Sequence, residues 1–226
     1  MSYEGEHTIA RWLGIQAYAA TATAMRDWTS ARGPCTLDEL WFLEHPRTYT
    51  LGRAGKREHV IGDIGEIPLV ESDRGGQVTY HGPGQLIAYT MVDVTRLGAS
   101  VRTMVKGLEQ AVIEQLRAFD IDAHRVQGAP GVYVSDAKVA ALGLRVSRGR
   151  AFHGLSLNVD LDLSPFFAIN PCGYEGLKVT RLKDLGIEIT ARELAPSLCQ
   201  HLSGALALAK VSPLIAATSW TGEKWV

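Results

Sequence analysis

The chain has 226 residues, 46% of them hydrophobic and 21% charged, and a formal net charge of −1. That length fits one large domain or two small ones, with a single domain over 1–226 favoured; the composition excludes a disordered chain, and the charge leaves no general footprint for nucleic acid. No apolar run reaches membrane-span length, no basic-then-apolar segment opens the chain, and Cys35, Cys172 and Cys199 are too scattered for a disulfide framework or a C-x-x-C zinc spacing, so the sequence predicts a soluble cytoplasmic protein.

Thr8 to about Trp28 is alanine-rich and carries Ile9, Trp12, Leu13, Ala17 and Ala20 at roughly helical spacing, which predicts a helix. Asp38–Glu44 reads as a strand, although so short a run also fits a helix. His45-Pro46-Arg47 ends it, and Thr48–Leu51 resumes as β before Gly52. Residues 53–66 read as a mobile loop, and Pro68–Glu71 as a short strand. Arg74 to Leu86 is the densest stretch. Gly75-Gly76 permits positive φ and close ligand approach. Gln77–Tyr80 reads as a strand with Val78 and Tyr80 on one face and Gln77 and Thr79 on the other. Gly82-Pro83-Gly84 turns the chain, and Gln85–Val92 returns as a buried strand. An ordinary tight hairpin explains the glycines and proline. It does not call for Arg74, Tyr80 and His81, which could hold a carbonyl or carboxylate. The stretch is neither a Walker loop nor a dinucleotide fingerprint.

Ser100–Phe119 is the clearest helix, with Val101, Met104, Val105, Leu108, Val112 and Leu116 on one stripe and Ser100 as N-cap. Gly131–Val134, Lys138–Val146 and Ala151–Val159 read as an antiparallel meander. Asp160–Gly186 is mostly irregular, and a loop that long usually has a task. Thr190 and Glu193 form a capping box that opens a last helix running to about Leu208, with Pro196 near its first turn as an objection. The tail from Ser212 is ambiguous.

Cys172 lies between Pro171 and Gly173, which hold a thiol while leaving it accessible; its alternative is a small buried hydrophobe. A thiolate needs a partner to lower the thiol pKa from about 8.5. Lys138, opening an apolar strand, is the candidate, and a solvated charge at a strand start is the alternative. His81 and His153 are the other basic groups near site loops. No metal-binding pattern is present.

Taken together, the glycine stretch, the lysine-led strand, the His153-Gly154-Leu155-Ser156-Leu157-Asn158 strand, the Asn170-Pro171-Cys172-Gly173 loop and Thr48-Tyr49-Thr50-Leu51-Gly52 closely resemble the lipoyl(octanoyl) transferases, the lipoate–protein ligase B family, from about Trp41 to Leu185. The resemblance implies an α+β fold of mixed and antiparallel sheets flanked by helices, as in the catalytic domain of biotin and lipoate ligases. It implies transfer of octanoyl from octanoyl-acyl carrier protein to a lysine of lipoyl domains, those of 2-oxoacid dehydrogenase complexes and the glycine cleavage H protein, without a cofactor or metal. The nucleophile falls on Cys172 and its lysine partner on Lys138. Substrate-binding positions fall on Arg74, Gly75, Gly76, Gln77, Val78, Thr79, Tyr80 and His81, on Ala141, Leu142 and Gly143, and on Gly154, Leu155 and Ser156. Arg181 departs from the pattern, which has a second hydroxyl residue there. An ATP-dependent lipoate or biotin ligase, which does not need the Pro-Cys-Gly nucleophile, is the alternative, and a non-catalytic acyl-protein-binding module a third.

Chemically, these residues suit a double displacement through an acyl-cysteine, with backbone N–H groups near Gly75-Gly76 or Leu142-Gly143 as oxyanion donors. Leu142, Leu155 and Tyr80 are expected to wall an acyl tunnel. Basic residues Arg145, Arg148 and Arg150, or Arg53, Lys56 and Arg57, could steer an acidic partner, although solvated loop charges are the plainer reading.

Overall fold

The computed structural model describes residues 7–226. Its strands are β1 (Thr8–Ile15), β2 (Asp38–Glu44), β3 (Thr48–Leu51), β4 (Leu69–Glu71), β5 (Val78–His81), β6 (Gln85–Met91), β7 (His124–Val126), β8 (Ala129–Val134), β9 (Ala137–Ser147), β10 (Arg150–Asn158) and β11 (Ile215–Ala216), and its helices α1 (Tyr18–Ala31), α2 (Val101–Arg117) and α3 (Ala191–Ala205). Eight strands form one sheet in the order β11-β1-β2-β6-β10-β9-β8-β7, and β4-β3-β5 form a second. β1 runs parallel to β2 and β11 while the centre of the large sheet is antiparallel, so the expected α+β class with mixed sheets is found.

The central strands are buried on both faces, which is why their sequences read as continuous apolar runs. Leu40 and Phe42 of β2 and Leu86 and Ala88 of β6 face α2 and α3, where Leu108, Val112, Leu194 and Leu198 pack. Trp41, Leu43, Ile87 and Tyr89 alternate to the other face, against Tyr18, Met25 and Trp28 of α1 and Trp225. A third cluster, Tyr49, Leu51, Val78, Tyr80, Leu161 and Phe166, ties the small sheet to the irregular segment after β10.

The helix caps form as the sequence predicts. Ser100 accepts from the Thr103 N–H at 3.1 Å, and Thr190 and Glu193 complete a capping box. The predicted helix from Thr8 is corrected: Thr8–Ile15 is strand, and the helix begins at Tyr18. Thr8, Ala10 and Trp12 are buried while Ile9 and Arg11 are half-buried, a period of two. Parallel pairing along β2 outweighs the helical propensity of the alanines, which lie in α1 itself. β7, with every residue exposed, escaped the sequence reading, as did the two-residue β11. Among the described residues, no helix is long and apolar enough to cross a membrane.

Candidate active site

Lys138 is the second residue of β9; β8 pairs with it on one side, while the pairing with β10 on the other side reaches only to Ala140 and leaves the start of β9 open there. The chain returning after Cys172 fills that edge. Lys138 N–H donates to the Lys178 carbonyl at 2.8 Å and the Thr180 N–H to the Lys138 carbonyl at 3.0 Å. These two bonds bring together residues far apart in sequence: the Lys138 Nζ donates to Cys172 Sγ at 3.3 Å and to the Pro130 carbonyl at 3.0 Å. The ammonium also sits 5.1 Å from the centre of the Tyr133 ring, where its attraction to the π face helps hold it. Lys138 is 3% exposed, so the solvated-charge alternative does not apply. Burial opposes its charge, but the neighbouring Cys172 sulfur and Tyr133 outweigh burial, and the pKa of Lys138 lies above its ordinary 10.5.

Cys172 sits in a short 3-10 turn at φ 58°, ψ 13°, in the left-handed region, followed by Gly173 at φ 79°. For a residue with a Cβ that conformation costs roughly 1–2 kcal/mol. It projects the thiol out of the turn toward Lys138. His153 (φ 60°) is a second non-glycine residue of this kind on the same cavity. Such strain persists only where the surroundings impose it, and it gathers at functional sites.

The thiol and Lys138 open on a cavity of about 300 Å³. Of the residues singled out by resemblance, Arg74, Gly75, Gly76, Gln77, Val78, Thr79, His81, Ala141, Leu142, Gly143, Gly154, Leu155 and Ser156 all line it. Tyr80 does not. Its ring packs between Tyr49 and Phe166 in the third cluster and its hydroxyl accepts from Arg47, so it walls no part of the cavity. The glycines admit a close crossing of chains. Gly75 N–H donates to the Leu144 carbonyl at 3.1 Å, closing the β9 edge that β8 leaves open, and a Cβ on Gly143 would lie 2.8 Å from the Gly75 carbonyl oxygen. The Gly75 N–H is thereby committed to the sheet edge.

Arg74 holds that loop from within. It is buried, and its guanidinium donates to the Thr50 hydroxyl and to the carbonyls of Thr50, Gly75 and Gln77 at 2.7–3.0 Å. Burial lowers its pKa, yet an arginine stays charged, so the cavity wall carries a cation bonded only to neutral oxygens.

Tyr18 and Tyr89, which sequence reasoning passed over, and His153, noted there only as a basic group near the site loops, complete the far end. Burial pushes the pKa of His45 down to about 4, that of His81 well below 6.5 and that of His153 down. All three rings are therefore neutral at pH 7, and their partners fix the tautomers. His45 Nδ1 donates to the Gln16 carbonyl at 2.6 Å, so its Nε2 accepts from the Tyr89 hydroxyl at 2.7 Å. His81 Nδ1 donates to Gln85 Oε1 at 2.8 Å. His153 Nε2 donates to Asp73 at 2.8 Å, which leaves its buried Nδ1 without a partner. Tyr18 stacks on His81 with ring centres 5.7 Å apart. These residues come from α1, β6 and β10; no local motif marks Tyr18 or Tyr89, whereas His153 heads the His153–Asn158 strand. Arg181, the departure from pattern, pairs with Asp184 and Asp160 and donates to the Leu161 carbonyl, pinning the returning loop.

A family model, the lipoyl protein ligase A/B catalytic domain, matches residues 16–203. A curated relative from Dechloromonas aromatica (strain RCB), named octanoyltransferase, is 56% identical over 194 residues, covering 86% of this chain and 94% of the relative. Among solved structures, a lipoate-protein ligase A bound with ATP aligns with TM-score 0.77 at 16% identity, over 96% of this chain and 90% of that one. A biotin protein ligase from Aquifex aeolicus, in complex with biotin and ATP, aligns with TM-score 0.54 at 14% identity, over 88% of this chain and 70% of that one. At such identities the two structures speak to the fold alone.

Proposed function

The chain belongs to the lipoyl protein ligase A/B catalytic family, among its octanoyltransferases, and we propose that it transfers octanoyl through a thioester on Cys172. The reaction is octanoyl transfer in protein lipoylation, carried out within one domain. The observation that carries the covalent reading is the 3.3 Å contact between the Lys138 ammonium and Cys172 Sγ at the mouth of the cavity. An ammonium at that distance can donate to the sulfur that attacks and can give and take back a proton during transfer. The thiolate attacks the octanoyl thioester of an acyl carrier protein; the carrier's thiolate leaves and takes a proton from Lys138. The lysine amine of a lipoyl domain then attacks the octanoyl-Cys172 thioester, an amide forms, the Cys172 thiolate leaves, and the neutral Lys138 takes up the amine's proton. The positive charge of buried Arg74 stabilises each tetrahedral oxyanion through the cavity wall. The acceptors that fit are the lipoyl domains of 2-oxoacid dehydrogenase complexes and the glycine cleavage H protein. Free thiols at Cys35, Cys172 and Cys199 suit a reducing cytoplasm.

The apolar walls, Leu142, Leu155 and Ile87, suit an acyl tail, whose burial contributes about 0.8 kcal/mol per methylene. The test is mass spectrometry of the protein mixed with octanoyl-carrier and no acceptor. The expected result is one octanoyl group on the Cys172 peptide, discharged by adding a lipoyl domain, absent in Cys172→Ala, and independent of ATP. Transfer by Cys172→Ala at the wild-type rate, or only with ATP, would return the ligase reading.

A further inference from the structure

At the mouth of the Cys172 cavity, contacts join α2, the β7–β8 hairpin and the Cys172 turn into one surface. α2 brings Val101 and Val105 to the cavity wall one helical turn apart. Glu109, a further turn on, accepts from the Gly131 N–H at 3.1 Å, beside the Lys138 stem. From β7, Arg125 donates to Glu109 at 3.0 Å and to the Lys106 carbonyl at 3.1 Å, so the hairpin lies against the same turns of α2. From the Cys172 turn, the Tyr174 hydroxyl donates to the Gly128 carbonyl at the hairpin tip at 3.0 Å. Val101, Val126 and Tyr174 stand exposed on this surface, at 51%, 41% and 44%. Arg102 and Lys106, next to Val101 and Val105 on α2, are exposed too, and among the described residues their side chains make no salt bridge or hydrogen bond. Of the carboxylates within 101–109, 124–128 and 172–176, Glu109 is held by Arg125 and Gly131, and only Glu175 is exposed. The basic clusters that the sequence marks are placed differently. Lys56 and Arg57 pair with Glu58 and Glu71, and Arg145, Arg148 and Arg150 line a separate cavity with Asp73, at the His153 end.

A single exposed apolar side chain needs no explanation, but a group of them around a reaction site, set beside unpaired cations, is the pattern of a surface that closes on a partner. Unpaired cations suit a partner whose surface carries carboxylates. Reach then tells the acceptor from the donor. The amine that discharges octanoyl-Cys172 sits at the end of a four-carbon stem, so the domain carrying that lysine has to come down to the rim itself. A donor held on a long flexible arm need not touch the rim. Cations there also disfavour an ammonium, so the target lysine gains by arriving as the neutral amine, the form that attacks. The carboxylates that meet Arg102 and Lys106 therefore belong beside the lysine, on the acceptor.

We propose that this rim, Val101, Val126 and Tyr174 with Arg102 and Lys106, is the docking surface for the acceptor, a lipoyl domain whose target lysine is flanked by carboxylates. This rests on the acyl-Cys172 intermediate proposed above, and a binding measurement separates the two. Binding of unmodified lipoyl domain would be measured by calorimetry with Cys172→Ala, which forms no acyl-enzyme. Adding Arg102→Glu and Lys106→Glu should raise the Kd about tenfold, and salt should weaken binding to the parent but not to the charge-reversed protein. In protein that keeps Cys172, the same reversal should raise the KM for lipoyl domain about tenfold. Loading of Cys172 by octanoyl-carrier or octanoyl-pantetheine, and its discharge by free lysine amide, should keep their rates. A lipoyl domain with amides in place of the carboxylates next to its lysine should bind the parent about tenfold more weakly, and the charge-reversed protein no worse than the unaltered domain does. A Kd and KM for lipoyl domain that ignore the reversal overturn the proposal. So does a KM rise confined to octanoyl-carrier, which gives the rim to the donor, and so does an equal slowing with octanoyl-pantetheine and lysine amide, which makes the two cations structural. If the reversal weakens domain binding but Cys172 never becomes acylated, the docking surface stands and the thioester reading falls.

Discussion

At one end of the catalytic cavity Lys138 is 3% exposed and keeps its charge; at the other His45, His81 and His153 are as deeply buried and are neutral. Burial pushes all four toward the uncharged form. What differs is the neighbour. Lys138 has a sulfur at 3.3 Å and an aromatic face, and these win. His45 and His81 have a carbonyl, a hydroxyl or an amide oxygen, each satisfied by a neutral ring, and there burial wins. His153 does face a carboxylate, but Asp73 is one-third exposed on its side chain, and burial outweighs its pull. The first end therefore holds a charge ready for chemistry, and the second a scaffold in which donors and acceptors are matched.

The largest break of this comparison is Cys172→Gly. Glycine adopts φ 58° without strain, so folding stability should hold at or above the wild-type level by urea denaturation, while transfer falls at least about 1,000-fold. A parallel loss of stability would mean that the thiol is a structural group. Lys138→Met comes next. It keeps a buried stem of similar length and removes the ammonium, so kcat for transfer should fall about 100- to 10,000-fold, the usual worth of a placed proton carrier. Labelling of Cys172 by iodoacetamide should slow in the same variant.

Gly131→Ala tests the Cys172 end without touching either reactive group. Gly131 lies at φ 139°, and a Cβ there would stand 2.9 Å from Lys138 Cε and 2.7 Å from the Ala140 carbonyl oxygen. The shorter clash is with backbone, and alanine is strained at φ 139°, so β8 must shift against β9 as the lysine is displaced, which opens the contact with Cys172 and should also lower the urea midpoint. A fall in kcat of about 30-fold, roughly 2 kcal/mol of barrier, is expected with KM little changed.

How much of this was legible in the sequence follows from how local each cause is. The Ser100 cap, the Thr190 capping box and the β8–β10 meander rest on contacts within a few residues, and they were read correctly. β1 was misread because its strand identity comes from parallel pairing with β2, some thirty residues away. Cys172 and Lys138 drew notice through their flanks and a family resemblance, but the contact between them depends on the 178–180 segment pairing beside β9, which no spacing reveals. Arg74 looked like a ligand-holding cation; its partners are backbone carbonyls whose arrangement exists only once the glycine loop is folded. Tyr18, Tyr89 and His153 meet through three separate elements, and Tyr80, singled out by resemblance and expected to wall the acyl tunnel, faces the small sheet's core.

The smallest effect expected is also the one that separates the two ends by pH. A histidine whose folded pKa is depressed gives stability that is full above its unfolded pKa of about 6.5 and is lost as pH falls through the folded value. For His45 that window runs from 6.5 down to about 4, and the loss between pH 7 and pH 5 amounts to about 2 kcal/mol. His81 and His153, lowered in the same direction, add to it with the same sign. Lys138 does not contribute there. Its folded pKa lies above 10.5, so its share is full below that value and is lost only as pH rises through the raised one. Asp73, lowered by His153, gives stability above about 3.8 and loses it below, also outside the window. Urea midpoints measured at pH 7, 6 and 5 should therefore fall on acidification. His45→Gln, whatever its stability at pH 7, should flatten that fall by about 2 kcal/mol, whereas Lys138→Met should leave its slope unchanged. If the slope survives in His45→Gln but disappears in Lys138→Met, the assignment of the neutral and charged ends is reversed.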